Sequence, residues 1–444
     1  MRANLIDELK CPYTGGAFRV TSVIATDGDD LEFAICRSAA GEFPIIGGIL
    51  RLQCDELREP ILDALRRGRE GRALELALDW PARTRTAAAT DFLYRAALKS
   101  GASGIGTALG ALRRPLLRQL TKRHRSFCDL LDALPVPGYW REWQKYRFSM
   151  ATFLPVYPML ALLTERGRVL DFACGLGHAS FLIARQVGAA NTVCVDYSFS
   201  SLHVARRYFA PGGSFIALDG NGLLPFPTGF FSAVLCSDAF HFITQKLALA
   251  REFARIVAPN GAVLLAHLHS RYSPMKSGAA LTPAAYRELF ANLHARVIPD
   301  RPLVDEYFNN DTFDLGVQHP EADLRAAVEG VSLVASADRG IFRTYPRSFA
   351  TSLALVRNPI VNPIYRAVRD GGHVRLRKHV SPAYVKRIEA RTGTRVPADY
   401  QLDPTSLKSG SGIRLKSDDR GYLARLVRDL VAVDAPNGYV RHGM

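Results

Sequence analysis

The stretch that decides the fold runs from residue 169 to 177 and reads VLDFACGLG. Its first four residues have the apolar composition of a buried strand, and Gly175 and Gly177 follow at once. In a doubly wound sheet, ligands lie at the carboxyl ends of the strands, where a glycine-rich turn lets the backbone approach them closely. The stretch therefore predicts a strand, a ligand-binding turn and a helix that begins near His178.

Apolar and amphipathic runs alternate around this turn, between residues 166 and 270. The apolar runs after it are TVCVDY, SFIALDG, FSAVLCSD and AVLLAHLH, and the amphipathic runs include ASFLIARQ, SLHVARRYF and KLALAREFARIV. Strands that alternate with helices predict right-handed βαβ units and a parallel sheet. Asp196 ends the second predicted strand and Asp219 ends the third, at the sheet edge where ligands bind.

With these features the segment resembles the class I S-adenosylmethionine-dependent methyltransferases, especially the type that includes ubiquinone-biosynthesis and small-molecule methylases. VLDFACGLG resembles the family's VLDxGxGxG, with Ala173 in place of the first glycine. LDGNGLLPFPTGFFSAVLCSDAFHF resembles xDxxxLPFxDxxFDxVxxxxxLHH, with Ser232 where Asp is common. AREFARIVAPNGAVLLAH resembles the family's helix, PGG turn and fifth strand. The resemblance implies an α/β fold with a Rossmann-like, seven-stranded sheet.

The resemblance also implies S-adenosyl-L-methionine as cofactor, S-adenosyl-L-homocysteine as product, and no metal. The implied cofactor-binding residues are Asp171, Ala173, Gly175, Gly177, Asp196, Tyr197, Asp219, Gly220 and Ser237. Gly175 and Gly177 would pass the methionine part, and Asp171 would hold the turn and the amino group. Asp196 would accept hydrogen bonds from both ribose hydroxyls, and Asp219 from the adenine amino group. Any one such Asp could instead cap a turn or a helix.

Methyl transfer is an in-line displacement at a sulfonium, which needs alignment and, for a hydroxyl acceptor, a base. His241, after the fourth strand, is the first candidate base, and His267 and His269, at the end of the fifth strand, are the second. The alternative for each histidine is that it lines the pocket or caps backbone groups. Tyr146 and Arg147, before the first strand, either fold over the cofactor or pack in the core.

Four segments are predicted along the chain: a β module at 1–54, a helical insert at 55–164, the methyltransferase domain at 165–346 and an Arg-rich accessory region of helices and loops at 347–444. Within the third segment, VSLVASAD and GIFRTYP are joined by a short turn at Arg339 and Gly340. These two runs predict a hairpin that supplies the last antiparallel strands of the sheet.

The first segment resembles a second family, the small zinc-ribbon-like domain that occurs as an activator of tRNA and protein methyltransferases. The family pattern reads CPxCxGxL and then CxxCGxxFPIxxGIPxL. Cys11 and Cys36 match it, but Thr14 and Ala39 stand at the partner positions. Structural zinc needs four ligands, which two thiols cannot supply. We expect a metal-free module held by apolar packing. Seven scattered cysteines without a CxxC pair also make a disulfide framework improbable.

The charge balance raises the question of a polyanionic partner. Lys and Arg number 57 against 42 Asp and Glu, a formal charge of +15 in 444 residues. The basic run RRPLLRQLTKRHR could bind RNA, but no aromatic RNP strand or GXXG loop accompanies it. A solvated helical face or an anionic small acceptor also accounts for the charge. The chain lacks an apolar run of membrane-spanning length and a secretory leader, which predicts a cytoplasmic location.

These observations predict methyl transfer from S-adenosylmethionine to an oxygen of a small or medium-sized acceptor, in specialised metabolism or in glycan or cofactor biosynthesis. An RNA-modifying methylase is one alternative. The other is a non-catalytic, cofactor-binding partner of another methyltransferase, an idea that the degenerate first segment supports. The fourth strand ends in CSDAFH and not in the (N/D)PP(Y/F) of exocyclic-amine methylases.

Overall fold

The computed structural model describes residues 1–78, 117–164, 166–274, 279–310, 312–346, 358–370, 373–390, 395–407, 414–416 and 420–440. The middle of the predicted helical insert, residues 79–116, lies outside these ranges. The chain divides into two compact units. The first unit comprises Met1–Arg123, Leu163–Cys236 and Ile243–Val263, and the second comprises His124–Leu162, Ser237–Phe242 and Leu264–Met444.

The first unit contains most of the sheet. Its strands are β1 (Arg19–Asp27), β2 (Asp30–Ser38), β3 (Gly41–Ile46), β4 (Ile49–Arg51), β5 (Val169–Phe172), β6 (Thr192–Asp196), β7 (Ser214–Ala217), β8 (Phe231–Ser237) and β9 (Val257–Leu268), of which the last two continue into the second unit. They lie in the order β1-β2-β3-β4-β7-β6-β5-β8-β9. The pairs β5–β6, β6–β7 and β5–β8 are parallel, as the alternating pattern predicts.

The parallel strands are connected by helices, since His178–Val187 lies between β5 and β6 and Phe199–Tyr208 between β6 and β7. The other helices of the first unit are Ala3–Glu8, Arg58–Arg66, Glu70–Ala77 and Lys246–Ile256, with a short 3-10 turn at Ala189–Asn191. β5 and β7 are buried along their whole length. Strands covered on both faces favour nearly continuous apolar runs, which Asp171 interrupts in β5 and Ser214 begins in β7.

The four N-terminal strands extend the sheet at β7. β1 to β4 form antiparallel neighbours, and β4 then pairs in parallel with β7, with Ile49 opposite Phe215. The Leu52 amide continues this ladder by donating to the Ala217 carbonyl at 2.8 Å. The sequence pattern predicts these strands but not their partner, because pairing between distant segments is not encoded in local alternation.

The predicted turn in PNG is absent, since Pro259, Asn260 and Gly261 lie within β9. Gly261 explains how the strand continues there. A Cβ at this position would lie 2.6 Å from the Ser232 carbonyl oxygen, so glycine lets the neighbouring strand come close.

The second unit holds the remaining strands, which are β10 (His294–Pro299), β11 (Thr312–Asp314), β12 (Val331–Ser336), β13 (Thr344–Pro346), β14 (Pro359–Val361), β15 (Tyr365–Asp370), β16 (His373–Lys378), β17 (Asp399–Leu402) and β18 (Ala432–Asp434). β12 lies between β9 and β10 and is antiparallel to β10. The helical segments are Phe127–Ala133, Gly138–Lys145, Val156–Leu160, Pro283–Glu288, Asp300–Asn309, Glu321–Ala326, Pro382–Tyr384 and Arg420–Arg428, with shorter turns at Arg147–Ser149, Phe240–Phe242, Arg339–Ile341, Val385–Glu389 and Pro404–Ser406.

The predicted hairpin between VSLVASAD and GIFRTYP is wrong. The first run forms β12 and pairs with β10, whereas the second contributes β13, which pairs with β11. A 3-10 turn, Arg339–Ile341, lies between β12 and β13. Every residue of β12 is buried, and a strand buried on both faces lies inside a sheet with a neighbour on each side.

The prediction of helices and loops after residue 347 is also wrong in part. The described residues there include two small antiparallel sheets, β14-β18 and β15-β16-β17. The sequence contains a pattern that predicts strands β15 and β16 of the second sheet. The alternating runs YRAVRD and HVRLRK lie on either side of the dipeptide GG, which favours a turn. Among the residues described, no helix has the length and apolar character needed to span a membrane.

Candidate functional site

The turn after β5 lies between this strand and the helix His178–Val187, as the sequence predicts. Ala173, Gly175 and Gly177 have φ angles of 56°, 55° and 95°, all in the left-handed region that glycine tolerates best. A Cβ added to Gly175 would meet no atom within 4 Å, so the turn is open on that side. A Cβ added to Gly177 would lie 2.7 Å from Ala205 Cβ, so this glycine lets the turn pack against the helix Phe199–Tyr208.

Asp196, the last residue of β6, joins this turn to the next helix. One carboxylate oxygen accepts a hydrogen bond from the Gly175 amide at 2.8 Å, and the other accepts from the Ser198 amide at 2.8 Å. A carboxylate oxygen has two lone pairs and can accept from more than one donor at a time. The side chain is half-buried at the end of its strand. It can therefore bind the ribose that the resemblance assigns to it.

Asp171 is the buried member of the set. It is 1% exposed, and the Ser180 hydroxyl donates to its carboxylate at 2.5 Å. Burial raises the pKa of Asp171 to about 7, although the Ser180 hydrogen bond opposes that change. This hydrogen bond joins β5 to the helix that follows the turn.

The remaining predicted cofactor residues have different surroundings. Asp219 is exposed and accepts from the backbone and side-chain nitrogens of Asn221 at 3.0 and 2.9 Å. Tyr197 is 57% exposed, and its carbonyl accepts from Gln53 Nε2 at 2.8 Å. Gly220 packs so tightly that a Cβ there would lie 2.6 Å from Phe172 Cζ.

The first unit thus brings together eight of the nine predicted cofactor residues, at the carboxyl ends of β5, β6 and β7. Ser237, the ninth, is the last residue of β8 and belongs to the second unit. Gln53 and Asn221 are the polar neighbours that the sequence did not indicate. The sequence could not indicate Gln53, because this residue follows β4, and the pairing of β4 with the distant β7 is not visible in local sequence.

In the second unit, the three predicted histidines meet. We call the group of Asp238, His241, His267 and His269 the histidine cluster. The His241 and His269 rings stack with centroids 3.9 Å apart, and His267 meets His269 edge-on at 5.3 Å. All three histidines are buried, with exposures of 0%, 3% and 6% for His241, His267 and His269.

Two residues of the cluster have strained backbones. Asp238 and His267 have φ angles of 53° and 56°, in the left-handed region that residues with a Cβ seldom adopt. The Asp238 amide donates to the Ala266 carbonyl at 2.8 Å, which fixes the segment after β8 beside β9. Such conformations concentrate at functional sites, where the surrounding structure enforces them.

A carboxylate orients His267. Its Nδ1 lies 2.7 Å from Asp300 Oδ2, and the other Asp300 oxygen accepts from the Ser332 hydroxyl at 2.6 Å. Because a carboxylate only accepts, Nδ1 carries a proton, and in the neutral ring Nε2 presents its lone pair. Gly330 makes room for this contact, since a Cβ there would lie 2.5 Å from Asp300 Oδ2. Burial alone would lower the pKa of His267, but Asp300 raises it above the ordinary value.

His241 has the opposite tautomer. The His269 amide donates to His241 Nδ1 at 3.4 Å, so the proton of the neutral ring is on Nε2. His269 has no hydrogen-bond partner for either ring nitrogen among the described residues, and the same holds for His267 Nε2. Burial lowers the pKa of His269, and the neighbouring His267 lowers it further.

Arg147 contacts the remaining member of the cluster. Its guanidinium donates to Asp238 Oδ2 at 2.9 Å and to Thr152 Oγ1 at 2.6 Å. Burial alone would raise the pKa of Asp238, but Arg147 and the histidines outweigh it and lower the pKa. Tyr146 lies in the core, where its ring packs edge-on against Tyr384 with centroids 5.5 Å apart.

One set of side chains in the described ranges has the composition and proximity of a metal site. Asp238, His267 and His269 each offer a ligand atom, and these atoms lie within 4.8 Å of one another.

In the N-terminal segment, Cys11 and Cys36 each have a hydrogen-bond partner. The Ser38 hydroxyl donates to Cys11 Sγ at 3.1 Å, and the Cys36 thiol donates to the Phe43 carbonyl at 3.4 Å.

Comparison with known proteins gives one family match, a methyltransferase domain, over residues 169–261. The ubiquinone/menaquinone biosynthesis C-methyltransferase of Ralstonia pickettii is 25% identical over 204 residues, which cover 42% of this chain and 79% of the relative. The enzyme of the same name from Paraburkholderia phymatum is 27% identical over 151 residues, which cover 33% of this chain and 58% of the relative.

Among solved structures, this chain is similar to one from the complex between the Haloferax volcanii Trm112 methyltransferase activator and a methyltransferase. The identity is 18% and the TM-score is 0.35, over 49% of this chain and all of that one (100%).

Proposed function

Residues 169–261 form an S-adenosylmethionine-dependent methyltransferase domain, and from that premise we propose that the chain methylates a hydroxyl oxygen of a small or medium-sized acceptor. The family match and the curated relatives confirm the enzyme class, the cofactor and the α/β, Rossmann-like fold predicted from the sequence. An anionic acceptor would suit the net charge of +15.

The observation that carries the proposal is the carboxylate of Asp196 beside the open glycine turn. Its oxygens accept from the Gly175 and Ser198 amides, and a carboxylate oxygen can accept from a ribose hydroxyl as well as from an amide. The space beside Gly175 leaves the backbone accessible to the methionine part of the cofactor. In this proposal Asp171 keeps the turn in place through Ser180, and Asp219 accepts from the adenine amino group.

The histidine cluster supports deprotonation of the acceptor. A hydroxyl oxygen attacks a sulfonium methyl group efficiently only when it loses its proton. His267 and His269 keep buried ring nitrogens without hydrogen-bond partners among the described residues, whereas His241 accepts at Nδ1 from the His269 amide. We therefore propose that His267 and His269 promote the loss of the acceptor's proton, and assign His241 the role of orienting His269 by stacking.

Carbon is the second candidate for the methylated atom. The relatives from Ralstonia pickettii and Paraburkholderia phymatum are named C-methyltransferases. Loss of a phenolic proton enriches both the oxygen and the neighbouring ring carbons in electrons, so the same cluster serves either reaction. Carbon-13 NMR of product made with methyl-labelled cofactor separates them, because O-methyl and C-methyl carbons have distinct chemical shifts.

Calorimetry with S-adenosylhomocysteine tests the cofactor site. Asp196→Ala removes the acceptor of two hydroxyl hydrogen bonds, and each bond to a charged group contributes about 1.5–3 kcal/mol. We expect the affinity to fall at least about 100-fold. Asp29→Ala, which removes an exposed carboxylate from the turn between β1 and β2, is the control and should leave the affinity unchanged. Equal affinities for the wild type and a folded Asp196→Ala protein would refute the assignment.

A further inference from the structure

We propose that Asp238, His267 and His269 bind a divalent transition-metal ion, to which the acceptor's hydroxyl oxygen coordinates. The sequence resemblance implies no metal, so this inference departs from it. The binding of the ion stands on the cluster alone, whereas its role in deprotonation rests on the proposed function.

The first argument is the cost of the cluster without an ion. His267 Nε2 and both ring nitrogens of His269 are buried and have no hydrogen-bond partner among the described residues. A buried polar atom without a partner costs about 1–3 kcal/mol. Three such atoms in two adjacent rings are a large penalty for a packing role alone. A metal ion would satisfy one nitrogen of each ring by coordination.

The second argument is distance. Asp238 Oδ1 lies 4.0 Å from His267 Nε2, and also 4.0 Å from His241 Nε2. Metal–nitrogen and metal–oxygen bonds are about 2.0–2.2 Å long, so an ion between two such atoms holds them about 4 Å apart or closer. The ligand atoms of Asp238, His267 and His269 lie within 4.8 Å of one another, which requires only a small contraction on binding.

The third argument is the outer shell. A histidine that binds a metal donates its other ring N–H to a carboxylate in many sites, which fixes the tautomer and makes the ligand more basic. Asp300 does this for His267 at 2.7 Å, and Ser332 in turn donates to Asp300 at 2.6 Å. On the opposite side, Arg147 holds Asp238 Oδ2, so Oδ1 is left to face the rings.

The ligand set indicates the class of ion. Two imidazoles and one carboxylate suit Zn(II), Fe(II), Co(II) or Ni(II), whereas Mg(II) and Ca(II) prefer oxygen ligands. Three protein ligands leave at least one coordination position open. An acceptor hydroxyl in that position has a lowered pKa, because the ion stabilises the oxyanion.

The reaction then balances without an added oxidant or reductant. The acceptor O–H bond breaks as the oxygen coordinates, and its proton leaves to solvent. A lone pair of the oxyanion forms a bond to the methyl carbon of the cofactor. The carbon–sulfur bond breaks at the same time, and its electron pair neutralises the sulfonium, which gives S-adenosylhomocysteine.

Metal titration of the purified full-length chain, stripped with a chelator, tests the proposal. We expect one Zn(II) or Co(II) per chain by elemental analysis, and visible absorption bands of Co(II) bound to nitrogen and oxygen. His269→Gln should weaken binding more than about 100-fold, and Asp300→Asn, in the outer shell, about 10–100-fold. His373→Gln, an exposed histidine of the second unit, is the matched control and should bind normally.

Two results would overturn the proposal: no stoichiometric ion with either metal, or equal loading of His269→Gln and wild type. Circular dichroism confirms folding, and Asp238→Asn gives an independent ligand variant if His269→Gln does not fold. Calorimetry with S-adenosylhomocysteine keeps the two proposals apart. A chain that binds S-adenosylhomocysteine but no metal contradicts only this inference, whereas a chain that loads metal but methylates no hydroxyl contradicts only the proposed function.

Discussion

The glycine turn of the first unit and the histidine cluster of the second differ in how many of their polar side-chain atoms have hydrogen-bond partners within the described residues. At the turn, the carboxylates already have donors, since Asp196 holds two amides and Asp171 holds Ser180. In the cluster, ring nitrogens of His267 and His269 are buried without hydrogen-bond partners among the described residues. The turn is thus preorganised by its own chain, whereas in the cluster the chain leaves buried ring nitrogens of His267 and His269 to a ligand.

The two regions also differ in how they are assembled. The polar contacts of the turn join neighbouring βα units, and Asp171 and Ser180 are nine residues apart. The cluster draws Arg147 to Asp238 across 91 residues and His267 to Asp300 across 33. Its geometry therefore depends on long-range packing, and it should be the more sensitive of the two to changes in a single charge.

The largest loss of folding stability is expected when the charge of Arg147 is removed, and this change tests the sensitivity of the cluster. Arg147→Met removes the partner of Asp238 in an ion pair whose side chains are both 11% exposed. A buried charge left without its partner costs about 3–5 kcal/mol, so the free energy of unfolding should fall by about that amount. Urea denaturation of the metal-free protein measures it. Bound Zn(II) should recover part of the loss, because the ion compensates the Asp238 charge.

Arg67→Met is the matched control for that change. Arg67 pairs with Asp63 at 3.0 Å, but the two side chains are 59% and 53% exposed. An exposed pair contributes at most about 1 kcal/mol. Similar losses of unfolding free energy in both variants would mean that the Arg147–Asp238 pair contributes no more to stability than an exposed ion pair.

The next effect concerns the buried carboxyl of the turn. The pKa of Asp171 is raised from 3.8 to about 7, so the native state holds this proton more tightly than the unfolded chain. Ionised Asp171 therefore destabilises the fold increasingly as pH rises from about 4 to 7, by at most about 4 kcal/mol. Asp171→Asn carries no charge at any pH, so its advantage over the wild type should grow across that range and level off above it.

Urea denaturation without cofactor at pH 5, 6, 7 and 8 measures this difference. Asp219→Asn, which removes an exposed carboxyl from the neighbouring strand end, is the control and should change the unfolding free energy by less than about 1 kcal/mol. A constant difference between Asp171→Asn and wild type at all four pH values would contradict the pKa of about 7.

The same contrast explains what the sequence could predict. The turn could be predicted because its strand, glycines and helix are contiguous and glycine favours the left-handed angles found at Gly175 and Gly177, although residue type does not predict the same angle at Ala173. The histidines were identified as candidates, but Asp300 and Ser332 were not, because nothing local links them to His267. The incorrect hairpin has the same cause. Its two runs are close in sequence, yet the buried β12 takes β10 as its partner.

The smallest effect separates backbone strain from packing within the turn itself. Gly175 and Gly177 both have left-handed φ angles, so alanine at either position costs about 1–2 kcal/mol for the backbone alone. Only Gly177→Ala also forces a methyl group to within 2.7 Å of Ala205 Cβ, whereas Gly175→Ala meets open space. Gly177→Ala should therefore be less stable than Gly175→Ala by about 1–3 kcal/mol. Urea denaturation of the pair measures this difference directly. Equal stabilities would mean that the helix Phe199–Tyr208 yields to the added methyl group, so that the turn is less rigidly preorganised than its hydrogen bonds indicate.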